Sequence, residues 1–156
     1  MLHTVQLVNV SVSTLPADVL AGTSSELAWF SLSWSRALTS IPPTLLGDRV
    51  SVDTLMLAHA PNLRAIPPDL LVGVRSLRVL QIESCGVRSL PFGLLRNTSL
   101  VEYGATLVLR RLQLTWLPAD LVDMPFESYA SQRSFRASVF CWPHTGCTSL
   151  LVAGRT

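Results

Sequence analysis

Residues 77–95 read LRVLQIESCGVRSLPFGLL, and the rest of the chain is understood from them. Leu80, Gln81 and Ile82 alternate apolar and polar, the pattern of a strand with one buried face. Leu90-Pro91 followed by Leu94-Leu95 reads as a turn into a short helix, because proline at the first helical position loses no hydrogen bond. A unit of this kind has one apolar edge and nothing of its own to cover it. It is stable only against a copy of itself.

Copies are present. The leading apolar residue recurs at Leu2, Leu27, Val52, Leu77 and Leu100, in steps of 25, 25, 25 and 23 by subtraction. An aliphatic-Pro anchor recurs separately at Leu15-Pro16, Ile41-Pro42, Ile66-Pro67, Leu90-Pro91 and Leu117-Pro118. Two marks that keep nearly one period over most of a chain identify a stacked solenoid.

With Leu-x-x-Leu-x-Leu at that period, residues 2–124 resemble the leucine-rich repeat family. The resemblance implies an α/β fold: a right-handed solenoid of about five repeats. Its parallel β-sheet would line the concave face, and short helical or 3₁₀ turns the convex face. Residues 1–124 form the expected array, and residues 125–156 an irregular tail or partial cap.

Turn chemistry points the same way. Gly22, Asp48, Gly73 and Asn97 each stand six residues beyond an anchor proline, and most of these types tolerate positive φ. Asp18, Asp69 and Asp120 stand two residues beyond it, where the positive end of a helical turn favours a carboxylate. Repeats two and three carry one extra residue before Leu38 and Leu63, expected as a small bulge outside the sheet. One column departs from the family. Where an asparagine would bridge neighbouring coils, this chain has Val10, Ser35, Ala60 and Cys85, and only the serine is a good donor. Register between Tyr103 and Trp116 stays open, since Leu107, Leu109, Leu112 and Leu114 offer a second strand. Ser128 to Ser138 reads as linker or loop, with Val139 to Val152 as a small apolar cover.

Composition narrows the function classes. A net charge of +2 and scattered arginines give no footprint for nucleic acid. No apolar run is long enough to cross a bilayer, and residues 1–10 lack the pattern of a signal peptide. The chain starts inside a repeat, which predicts a fragment of a longer protein. The compartment is left open: cytoplasmic, or extracellular if the chain belongs to a receptor. Three cysteines make no even disulfide framework. Cys141-x-x-His144-x-x-Cys147 supplies too few ligands for a closed zinc site. A Cys141–Cys147 disulfide or two free thiols is the better reading, and no metal or cofactor is expected. Asn9-Val10-Ser11 and Asn97-Thr98-Ser99 are possible glycosylation sequons.

No phosphate loop, nucleophile elbow or His-Glu-x-x-His motif is present, so the chain is expected to be no enzyme. Side chains between the buried leucines should face outward from the concave surface. Among them Trp29, Ser31, Trp34, Met56, His59, Gln81 and Glu83 form the expected ligand site. Large aromatics and Met rimmed by polar groups have the composition of a protein-binding hot spot, and Trp29, Trp34, Met56 and His59 are expected to cluster. The expected function is non-catalytic recognition of a protein or peptide. The alternative is the ligand-sensing part of a leucine-rich repeat receptor or receptor kinase whose membrane and catalytic parts lie outside this chain.

Overall fold

The computed structural model describes residues 3–20, 27–47, 51–96, 98, 106–115, 118, 135–142 and 146–154, the last two segments as backbone only. Five short strands come from equivalent places in successive repeats: β1 (Thr4–Val8), β2 (Trp29–Ser33), β3 (Thr54–Ala58), β4 (Val79–Glu83) and β5 (Thr106–Arg110). Each pairs in parallel with the next, in one unbroken register such as Val5↔Phe30, Phe30↔Leu55, Leu55↔Leu80 and Leu80↔Leu107. Alternate side chains of a strand share a face, so Phe30 and Leu32, Leu55 and Leu57, Leu80 and Ile82, and Leu107 and Leu109 all enter one continuous core.

Parallel neighbours need a crossover of a dozen residues or more, usually a helix. Here the crossovers are 20, 20, 20 and 22 residues long by subtraction of the strand limits, and no helix occurs among the described residues. The chain returns through chained turns instead. In four coils the anchor proline's carbonyl accepts the N–H three residues on: Val19 to Pro16, Leu45 to Pro42, Leu70 to Pro67 and Leu94 to Pro91. In the third coil the accepting carbonyls are Pro67, Asp69 and Leu71. They alternate rather than follow one another, which is why the segment is a series of turns and not a wound helix. Of the short helical or 3₁₀ turns expected from Leu-Pro, the described residues show single turns closed by a bond to the N–H three residues on, and Asp18 and Asp69 sit in these turns with no helix end to complement. Gly73 does take the left-handed conformation expected of it, with φ 92°. Gly22, Asp48, Asn97 and Asp120 lie outside the described residues.

The anchors bury their aliphatic side chains: Leu15, Ile41, Ile66 and Leu90 are 6%, 3%, 4% and 2% exposed. Leu45-Leu46, Leu70-Leu71 and Leu94-Leu95 close the core from the same side. Each such residue is worth roughly 1.5–3 kcal/mol of burial, and the neighbouring coil supplies much of the covering surface. The extra residue before Leu38 and Leu63 is absorbed in hydrogen-bonded turns, Leu38 N–H to Ser35 C=O and Leu63 N–H to Ala60 C=O. The sheet register passes it unchanged.

The open register of repeat five resolves to β5 at Thr106–Arg110. Strand starts at 4, 29, 54, 79 and 106 give steps of 25, 25, 25 and 27, so the last repeat does not begin its strand from Leu100. Leu112 and Leu114 are buried in the turn that follows. Beyond it the sheet changes sense. β6 (Phe135–Trp142) and β7 (Gly146–Gly154) form an antiparallel pair, and β7 lies antiparallel on β5. The strand order is β1-β2-β3-β4-β5-β7-β6. Phe135 to Ser138, expected as loop, belong to β6.

The bridging column is better furnished than its residue types promise. The Ser35 hydroxyl accepts the Val10 N–H at 3.2 Å and donates to the Ser33 carbonyl at 3.3 Å. The Cys85 thiol, not expected as a donor, lies 3.3 Å from the Glu83 carbonyl and 3.6 Å from that of Leu57. Burial pushes its pKa up, against the smaller opposing effect of backbone hydrogen bonds. At Ala60 backbone alone does the work, with Gly86 N–H donating to its carbonyl at 3.2 Å. Gly86 must be glycine there: a Cβ would collide with the Pro61 carbonyl oxygen and lie 3.3 Å from that of Leu63.

Candidate functional site

The face of the sheet turned away from the core is built in rows, because parallel register places equivalent residues side by side about 4.8 Å apart. One row runs Gln6, Ser31, Met56, Gln81 and Val108; another runs Val8, Ser33, Ala58, Glu83 and Arg110. Met56 therefore stands between Ser31 and Gln81 in its row. Ser31 is only 7% exposed, a short side chain between Gln6 and Met56 in its row. Gln81 Nε2 donates to Glu83 Oε2 at 3.1 Å, which fixes both on one face.

The next row lies just past the strand ends and has one backbone conformation throughout. Asn9, Trp34, His59, Ser84 and Arg111 all have positive φ, between 50° and 59°. Four of them donate N–H to the last residue of the following strand: Asn9 to Ser33, Trp34 to Ala58, His59 to Glu83 and Ser84 to Arg110. The coil thus extends its ladder by one bond while turning the chain off the sheet. Asparagine adopts this conformation readily; for a bulky side chain it costs about 1–2 kcal/mol. Nothing in the sequence announces the row, since five residue types occupy it and only Asn9 and His59 are of types enriched in this conformation.

Trp34 and His59 meet in that row. Their ring centroids are 3.9 Å apart and their planes 12° from parallel, a stacked pair. Trp34 is nevertheless 52% exposed, while His59 is half-buried. Trp29 is 37% exposed. It stands five residues before Trp34, about 16 Å away along the strand, in the row of Thr4, Thr54, Val79 and Thr106. The expected single cluster is therefore divided. Trp34 pairs with His59 at one margin, Ser31, Met56 and Gln81 occupy the middle, and Trp29 marks the opposite margin. Neither described indole is packed in the core.

Other candidate residues are dispersed. Asn9 and Ser11 of the first sequon are exposed, so the position is less crowded than its strand-end placement implied. Asn97 lies outside the described residues; Thr98 is buried, with its hydroxyl donating to the Leu95 carbonyl at 2.9 Å. Cys141 and Cys147 are register partners across β6 and β7 beside a bulge; His144 is outside the described residues. Among the described residues no three His, Cys, Asp or Glu gather to hold a metal ion, and no helix is long and apolar enough to cross a membrane.

No family model matches this chain, and no curated protein or solved structure matches it either.

Proposed function

We propose that the chain is a leucine-rich repeat array and works as a non-catalytic recognition module, taking a protein or peptide on the open face of its sheet. Support for the array is the spacing of five parallel strands at steps of 25, 25, 25 and 27 residues, each followed by a left-handed residue, with a buried aliphatic-Pro anchor in four coils. The observation that carries recognition is Trp34. A half-exposed indole stands at a strained backbone position that Asn or Gly would occupy at less cost, and it is stacked on His59. Strain kept at an exposed aromatic is the pattern of a binding residue rather than a packing one. Trp29, Met56, Gln81 and Glu83 extend the same face.

The test is selection of peptides from a displayed random library on the wild-type chain, followed by titration of the winners. Trp34→Ala should weaken their binding by about 2 kcal/mol or more, and Trp29→Ala should weaken it less. Winners that bind the Trp34→Ala chain unchanged would remove the open face as the site.

A further inference from the structure

The arginines are scattered along the sequence, and the coils gather four of them on one rim. In coils two to five the stretches from the left-handed residue to the aliphatic anchor are residues 34–41, 59–66, 84–90 and 111–117. Each holds one arginine, Arg36, Arg64, Arg88 and Arg111, and none holds Asp or Glu. The steps between them are 28, 24 and 23 by subtraction, so no fixed period marks them in the sequence. Backbone bonds bring them side by side. Arg88 N–H donates to the Arg64 carbonyl at 3.1 Å, and Thr115 N–H donates to the Arg88 carbonyl at 3.1 Å. Asn62 Nδ2 donates to the Arg36 carbonyl at 2.7 Å. All four arginines are exposed, as is Arg110 at the end of β5.

The described carboxylates stand elsewhere. Asp18 and Asp69 are in the turns that follow the anchor prolines, and Asp53 precedes β3 at the other end of the strands. Among the described residues Glu83 alone lies at the rim's end of the sheet, and the Gln81 amide already donates to it. Coils stack about 4.8 Å apart, and charges are screened only beyond about 8 Å at physiological salt. Arginines in neighbouring coils therefore act on a ligand as one field. Trp34 and His59 open two of the four stretches, so the stacked pair borders the rim directly. Met56 and Val108, half-buried on the adjoining face, suit aliphatic side chains, which a peptide has and a nucleotide lacks. The Glu83 carboxylate would also repel a chain of phosphates.

From this we infer that the partner taken on the open face is acidic: a peptide segment whose apolar side chains rest on Trp34 and Met56 and whose Asp or Glu side chains meet Arg36, Arg64, Arg88 and Arg111. The inference rests on the recognition reading above and adds the charge of what is recognised. Each exposed guanidinium contributes little alone; together they speed encounter and turn basic partners away.

Selection from the displayed random library separates the two claims. Winners on the wild type should be enriched in Asp and Glu over the unselected library. They should bind the Arg64→Gln/Arg88→Gln chain about fivefold more weakly at physiological salt. Both side chains are exposed, so this variant should melt like the wild type. Selection on the Arg64→Glu/Arg88→Glu chain should shift the winners from acidic to basic, a change that a merely weakened fold would not give. Winners that depend on Trp34 yet show no excess of acid and ignore the Arg substitutions would overturn the acidic partner and leave recognition standing. Winners indifferent to Trp34→Ala would remove the open face as the site, and this inference with it. Oligouridylate that binds the wild type more tightly than the winners, and is released by Arg64→Gln/Arg88→Gln, would assign the rim to nucleic acid instead.

Discussion

The first coil and the second are built from the same pattern and end in different states. Val5 and Leu7 occupy the places of Phe30 and Leu32, in register and on the same face. The second pair is fully buried and the first is half exposed. The difference is position in the stack. A coil of this kind has two flanks, and its apolar residues are covered only as far as both flanks are occupied. Burial here belongs to the junction between coils rather than to any one coil.

The largest expected effect tests that statement directly. Phe30→Ala should destabilise the chain by about 4 kcal/mol, against about 1–2 kcal/mol for Leu7→Ala, both read by denaturant unfolding. Equal losses would mean that the first coil is as well covered as the second. Gly86→Ala comes next. Its new methyl meets the Pro61 carbonyl oxygen, backbone that cannot move without shifting the neighbouring coil, so a loss of about 3 kcal/mol is expected from the same melts.

A smaller effect concerns the junction of the first two coils. Ser35→Ala removes the acceptor that the Val10 N–H now uses and should cost about 1 kcal/mol. Amide exchange should accelerate at Val10 and its neighbours before it does in β3 or β4; uniform acceleration would show that the coils do not loosen separately. The smallest effect is electrostatic. The Cys85 pKa is raised by burial, so the folded state holds its proton more tightly than the unfolded chain. Stability from this source is complete below the ordinary thiol pKa of about 8.5 and declines as pH rises above it towards the folded value. Cys85→Ala should flatten that alkaline decline. A decline that keeps its slope in Cys85→Ala would assign it to other groups.

Legibility in the sequence followed the range of the forces involved. Leu80 and Ile82, or Ile66-Pro67, were readable because burying one face of a strand imposes a period of two, and stacking imposes one of 25. The 27-residue last step was also written down, in the distance from Pro91 to Pro118. Counting from Leu100 obscured it, since one leucine among many carries less positional information than a proline. Leu-Pro marks the start of a turn, and whether that turn winds on into a helix depends on donors that the following residues hand to the coil. Of the candidate site, exposure of Trp29 followed from alternation, whereas Trp34 shares the parity of the buried Phe30 and Leu32 and is exposed beyond the strand end, where its backbone is left-handed; the separation of the two indoles across the face did not enter the expectation of one cluster.

The sequence by itself determined that the chain would coil, where its first four strands would lie, and which of their side chains would be inside. Those depend on periodic hydrophobicity, which is local and additive. Only the tertiary structure decided the left-handed row, the Trp34–His59 stack, the Cys85 thiol as a bridging donor, and the unequal covering of β1 and β2. These arise where one coil meets the next, from backbone direction and contact between residues 25 or more positions apart, and no window of sequence contains both partners.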